Sequence, residues 1–182
     1  KRIGGYTELR EHFGHDSGDA EGTSYRPVIA VFAVGAALAI ALSLFVFQLP
    51  FTIRTAEWFV AFSMAMLAML KLQDVEQFST MFVGYDLLGR RWLPYAYAYP
   101  YLEATAAILM AGRLLPWLSI PVALFIGAVG AISVFYAVYI QKRSIKCACV
   151  GGSANVPLGF VSLSENLAMI GMAIWMLLRP TL

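Results

Sequence analysis

The two cysteines, Cys147 and Cys149, are the residues whose type and spacing point most directly to chemistry, since only one residue separates them. Lys142, Arg143 and Lys146 all lie within five residues of Cys147, and positive charge so close to a thiol favours the thiolate. A disulfide closed across one residue departs from relaxed geometry and is therefore easily reduced. The pattern predicts thiol–disulfide exchange, in which Cys147 attacks and Cys149 resolves the mixed disulfide.

The same pair of cysteines is compatible with two other functions. Two thiolates can hold a soft cation such as Cu(I) or Hg(II), which would make the protein a metal transporter or chaperone. The pair can also be two small residues in a turn beside Gly151 and Gly152, with no reactivity. In that case the protein would be an accessory subunit that braces a larger membrane complex.

The amino-acid composition indicates the environment of these cysteines. Of 182 residues, 60% are apolar and only 13% are charged, whereas soluble domains have about 45–50% apolar and about 25% charged residues. The polar residues cannot cover a globular surface, which excludes a soluble enzyme, a nucleic-acid-binding protein and a disordered tail. We expect an all-α integral membrane protein in contact with the lipid bilayer, and the class suggests a bacterial inner membrane.

Five stretches are apolar enough for spanning helices, because a bilayer core requires about 20 mostly apolar residues. They cover residues 28–49, 56–72, 95–112, 114–141 and 160–178, with four spans as the alternative if the short second stretch only dips into the membrane. Between the second and third stretches, residues 74–91 carry apolar side chains at helical spacing and predict an amphipathic helix in the membrane interface.

The basic residues predict the orientation, because they are enriched in cytoplasmic segments. With five spans and a cytoplasmic N-terminus, three basic residues lie outside, and ten lie inside: Lys1, Arg2, Arg10, Arg26, Lys71, Arg90, Arg91, Lys142, Arg143 and Lys146. This bias places the Cys147–Cys149 loop and the N-terminal segment together on the cytoplasmic side.

Two carboxylates, Glu103 and Glu165, fall within predicted spans, where a lone charge costs about 2.5–3.5 kcal/mol. Glu103 could carry a proton beside a thiol or quinone site, or it could be a protonated carboxyl hydrogen-bonded to Tyr97, to Tyr99 or to another helix. In the five-span topology Lys71 and Glu165 both lie near the cytoplasmic face, and for them a structural ion pair or snorkelling is a simpler expectation than catalysis.

The first 13 residues resemble the last strand, turn and helix of a glutaredoxin, on the sequence Ile3-Gly4-Gly5-Tyr6-Thr7-Glu8-Leu9. The resemblance implies that Gly5, Thr7 and Glu8 occupy positions that contact a glutathione carboxylate. It also implies that residues 1–14 are the C-terminal remnant of such a domain, with the rest expected before Lys1. Residues 15–26 would then be a linker, and residues 27–182 the membrane domain.

The membrane part resembles the MauE/DoxX group of small redox-associated membrane proteins, MauE being a methylamine-utilisation maturation factor. The resemblance rests on Lys71-Leu72, on Pro100-Tyr101-Leu102-Glu103, on the segment from Lys146 to Gly152, and on Glu165-Asn166. Val150 replaces the aromatic residue that members often carry after the second cysteine. Together the two resemblances imply a thiol–disulfide relay between a glutaredoxin-like domain and a membrane or protein partner, with glutathione or a quinone as candidate cofactors.

Overall fold

The computed structural model describes residues 25–142 and 158–179, and within those ranges every regular element is helical. The helices are α1 (Arg26–Phe47), α2 (Ile53–Gln73), α3 (Val75–Val83), α4 (Leu93–Gly112), α5 (Pro116–Phe135) and α6 (Leu158–Leu178), and one π-helical turn (Tyr136–Ile140) continues α5. The predicted all-α class is confirmed. The N-terminal segment and the Cys147–Cys149 loop lie outside the described residues.

Among the residues that the structure describes, four helices are long and apolar enough to cross a membrane: Arg26–Phe47, Ile53–Gln73, Pro116–Ile140 and Gly159–Leu178. The third predicted stretch, residues 95–112, lies in α4, which has the required length with 20 residues. Its tyrosines, prolines and glutamate lower its mean hydropathy below that of the four qualifying helices, so four of the five predicted spans qualify. The short second stretch, which was the weakest by length in the sequence, is one of the four that qualify.

Neighbouring long helices of the bundle run antiparallel. Arg54 and Lys71, near opposite ends of α2, contact Ala111 and Glu103 of α4 in the reverse order. Helix α6 likewise runs antiparallel to α2, since Glu165 near its start contacts Lys71 and Trp175 near its end contacts Glu57. Helix α4 therefore traverses the bundle alongside α2, between the same two ends.

In this arrangement the solvent-accessible basic residues lie in two groups, one at each end of the bundle. One end, called here the loop end, contains the start of α1, the α3–α4 connection and the two chain ends that flank residues 143–157. Its exposed cations are Arg26, Arg90, Arg91 and Lys142. The opposite end contains Arg54, Arg113 and Arg179. The segments that carry the two cysteines and the N-terminal residues are both attached at the loop end.

Helix α3 and the start of α4 form an aromatic core at the loop end. Phe78 and Phe82 of α3 are buried, and Phe82 packs against the ring of Tyr99 with a centroid distance of 4.7 Å. Tyr95 and Tyr99, one helical turn apart on α4, are buried, whereas Tyr97 and Tyr101 are exposed. The predicted amphipathic helix is present but shorter than residues 74–91: α3 covers Val75–Val83, turns follow it up to residue 91, and its apolar face packs onto α4. Its location in the membrane interface stays a prediction.

Two glycines illustrate how closely the helices approach. A Cβ atom at Gly130 of α5 would overlap the side-chain amide of Asn166 on α6, so only glycine allows this contact. Gly171 of α6 has no neighbouring atom within 4 Å of a Cβ position. The two positions therefore form a matched pair for testing the packing.

We predict that Gly130→Ala destabilises the protein, because Asn166 has to move and the α5–α6 contact opens, at a cost of about 1–3 kcal/mol. Gly171→Ala should be neutral or stabilising by up to about 1 kcal/mol, because alanine is the better helix former and nothing obstructs it. Thermal unfolding in detergent measures both. Equal midpoints for the two variants would contradict the close α5–α6 contact.

Candidate functional site

A buried ion cluster joins three helices. Lys71 Nζ of α2 donates to Glu103 Oε2 of α4 and to Glu165 Oε1 of α6, each at 2.6 Å. The exposed fractions of these three side chains are 1%, 0% and 2%. In an apolar interior such charges are stable only when they are paired and hydrogen-bonded. The three residues therefore form one electrostatic unit, which we call the ion cluster.

The helices position the cluster away from both ends. Lys71 lies near the C-terminus of α2, but a long side chain on a helix leans toward the helix N-terminus, so its ammonium group reaches back into the bundle. Glu103 is near the middle of α4, and Glu165 lies two turns into α6. The predicted structural ion pair of Lys71 and Glu165 is confirmed, and their position toward the cytoplasmic side stays a prediction.

The surroundings of the cluster complete its polar network. The Lys71 ammonium lies 5.5 Å from the centroid of the Tyr99 ring, within range for a cation–π interaction. The Tyr99 hydroxyl donates to Asn166 Oδ1 at 3.3 Å, and Asn166 Nδ2 donates to the carbonyl of Ser162 at 2.7 Å. Glu103 is thus bound by a side chain of another helix, Lys71, which was one of the predicted alternatives. Tyr97 is exposed, and the Tyr99 hydroxyl binds Asn166.

A second charged centre lies at the opposite end of the bundle. The Glu57 carboxylate of α2 accepts two hydrogen bonds from Arg113, one from Nε and one from Nη2. It also accepts from Arg54 Nη1 and from the indole N–H of Trp175, the latter at 3.0 Å. Glu57 is 3% exposed, whereas the two arginines are partly exposed. This centre fastens α2, α4 and α6 to one another at the end opposite the ion cluster.

This second charged centre was not predicted from the sequence, although the spacing of two of its residues indicates part of it. Glu57 and Arg54 are three residues apart, which places them on one face of a helix. The partners Arg113 and Trp175 are remote in sequence, so only the fold brings them together. Asp86 in the α3–α4 connection was not predicted either, although its partners are local: its carboxylate accepts from the backbone N–H groups of Leu88 and Gly89, two and three residues further along the chain. Burial raises the pKa of Asp86, and these hydrogen bonds partly offset that effect.

Most of the residues predicted to carry chemistry are not described by the structure. Cys147, Cys149, Arg143 and Lys146 lie outside the described residues. Lys142 is the last residue before them, and it is exposed at the loop end. The glutathione-binding positions predicted at Gly5, Thr7 and Glu8 also lie outside. Among residues 25–142 and 158–179, no group of three or more His, Cys, Asp or Glu side chains is arranged to hold a metal ion.

We predict that Lys71→Met lowers the free energy of unfolding by about 3–5 kcal/mol, because it leaves two buried carboxylates without their cation. The triple variant Lys71→Met/Glu103→Gln/Glu165→Gln removes all three charges and should recover most of that loss. Glu76→Gln, at an exposed position of α3, serves as the control and should have no effect. Thermal unfolding in detergent measures each variant. A triple variant as unstable as Lys71→Met would show that the charges do not act as a unit.

One comparison with known proteins identifies a relationship. The sequence profile of the family described as "Methylamine utilisation protein MauE" matches residues 49–179, which include α2 to α6, the ion cluster and the two cysteines. No curated protein and no solved structure matches the chain significantly. Because the profile covers well over half of the chain, the protein belongs to the MauE family of membrane proteins of methylamine utilisation.

Proposed function

We propose that the protein is a membrane thiol–disulfide redox protein that relays electrons through Cys147 and Cys149. The observation that carries the proposal is the attachment of the cysteine-bearing connection, residues 143–157, at the loop end of the bundle. That end also carries four exposed cations, Arg26, Arg90, Arg91 and Lys142. Positive charge at this end favours thiolates and attracts anionic thiols such as glutathione.

The proposed exchange has two steps. The Cys147 thiolate attacks a disulfide of the partner, so a mixed disulfide forms and one partner thiolate leaves. The Cys149 thiolate then attacks Cys147 Sγ, which closes the Cys147–Cys149 disulfide and releases the second partner thiolate. Two electrons pass from the cysteine pair to the partner, and the reverse sequence reduces the pair again.

The proposed partner is a thiol protein or glutathione. We propose that residues 1–14 belong to a glutaredoxin-like domain, with Gly5, Thr7 and Glu8 at the glutathione-contacting positions, that 15–26 form a linker, and that 27–182 form the membrane domain. Helix α1 begins at Arg26 at the loop end, so a domain before it would be tethered on the same side as the cysteines. The proposed location is the bacterial inner membrane, with this side cytoplasmic.

We predict that Cys149→Ser accumulates a mixed disulfide through Cys147, because the resolving thiol is absent. Cys147→Ser should accumulate much less, and Ser144→Ala, in the same segment, should behave as the unchanged protein. Non-reducing gels followed by mass spectrometry of the trapped species measure the result. If neither cysteine variant traps a thiol and the purified protein carries stoichiometric copper that both variants lose, the protein handles metal instead. Absence of both trapping and copper would indicate an accessory subunit.

The orientation has a separate test. We predict that a membrane-impermeant maleimide added to intact cells does not label Cys147 or Cys149. In a variant that lacks both cysteines, Arg179→Cys should be labelled from outside, because Arg179 is exposed at the opposite end of the bundle. The reverse labelling pattern would show that the loop end faces away from the cytoplasm.

A further inference from the structure

A cavity of about 170 Å³ lies beside the ion cluster, between α1, α2 and α6. Helix α1 packs mainly on α2 and α6 also packs on α2, so a partly open space remains between α1 and α6. Its wall is almost wholly apolar and includes the rings of Phe32 and Phe59, whose centroids are 6.2 Å apart. Apolar cavities of about 150 Å³ are large enough to bind an aromatic ring.

One polar atom in this wall has no partner. The Ser63 hydroxyl lines the cavity, Ser63 is 4% exposed, and its oxygen makes no hydrogen bond. A buried hydroxyl without a hydrogen-bond partner is unfavourable. Gly35 of α1 gives this hydroxyl room, because a Cβ atom there would lie 2.8 Å from Ser63 Oγ. The hydroxyl is thus available to donate to an acceptor that enters the cavity.

The cavity also reaches the ion cluster through Glu165, which forms part of its wall. The cluster combines one ammonium group with two carboxylates. With every group ionised it would carry a net negative charge in an apolar interior, and one carboxyl proton removes that charge. The cavity therefore brings together an apolar ring-sized space, a free hydrogen-bond donor and a carboxyl group that can hold a proton.

An apolar groove continues from the cavity along α2 and α6. It has a volume of about 390 Å³, shares Val60 and Ala168 with the cavity, and extends to Glu57 and Trp175 at the opposite end. Gly171 adds no side chain to this groove. The groove could hold a long apolar tail attached to a ring in the cavity.

We propose that the cavity binds the ring of a lipid-soluble quinone, with one carbonyl oxygen accepting from the Ser63 hydroxyl and the tail in the groove. The redox role of this site rests on the proposed function. Overall, two thiols and one quinone yield one disulfide and one hydroquinone: two S–H bonds break, an S–S bond forms, and each quinone oxygen gains a hydrogen. Glu165 is the group in the cavity wall that exchanges one of these protons.

The test uses the full chain in lipid nanodiscs and a decyl-substituted benzoquinone as the probe, with binding measured by titration calorimetry. We expect saturable binding of one quinone per chain. Ser63→Ala should weaken it about 5-fold, which corresponds to one hydrogen bond of about 1 kcal/mol. Ala168→Phe, which fills the space shared by cavity and groove, should abolish it. Ala37→Phe, at an exposed position of α1 outside the cavity wall, should leave it unchanged.

The results of these experiments distinguish a failure of the proposed quinone site from a failure of the proposed thiol–disulfide relay. Binding that is absent, or equal in all three variants, overturns the quinone site and leaves the cavity to a lipid chain. Ser63→Ala should not lower the unfolding midpoint without quinone, so weaker binding cannot be ascribed to loss of folding. Cys147→Ser/Cys149→Ser should bind the probe normally. Normal binding without any trapped mixed disulfide would refute the relay alone, and trapping without binding would refute the quinone site alone.

Discussion

The ion cluster of Lys71, Glu103 and Glu165 is the interaction on which the rest of the bundle depends. Three helices each contribute one charged group, and none of these groups is stable in an apolar interior without the others. If α4 or α6 moved away, a carboxylate would separate from the ammonium group that both carboxylates contact. This constraint fixes the positions of α2, α4 and α6 relative to one another along the bundle axis. Apolar packing alone defines these positions poorly in a membrane.

The Glu57 centre adds a second fixed point about four helical turns away along α2. Together the two centres prevent α2, α4 and α6 from sliding or rotating against one another. The cavity beside the ion cluster and the groove that continues from it both lie between α2 and α6. The two charged centres hold these helices in place and thereby determine the shape of the cavity and the groove. A site between helices held in this way can keep its shape although most of its contacts are apolar and non-directional.

The sequence predicted the fold class and most of the helices, because long apolar runs and a 3.6-residue period are local signals. It also singled out Glu103, Glu165 and Lys71, since charges in apolar runs are conspicuous. It could not assign Glu103 to the same cluster as the Lys71–Glu165 pair, because the three residues lie in separate helices and their contact depends on how far each helix is shifted along the bundle axis. The burial of Tyr95 and Tyr99 against α3 was not predicted for the same reason. Which tyrosines of this aromatic-rich helix are buried depends on where the neighbouring helix packs. Ser63 gave no signal, because its unpaired hydroxyl becomes evident only in three dimensions.

Helix α1 lies outside the region that matches the family, which begins at residue 49. It nevertheless supplies Phe32 to the cavity wall and, at Gly35, the space beside Ser63. Substitutions in α1 would therefore change the shape of the cavity and leave the ion cluster intact, because its three residues belong to α2, α4 and α6. The cavity can thus be altered from one peripheral helix without any change in the charged interior.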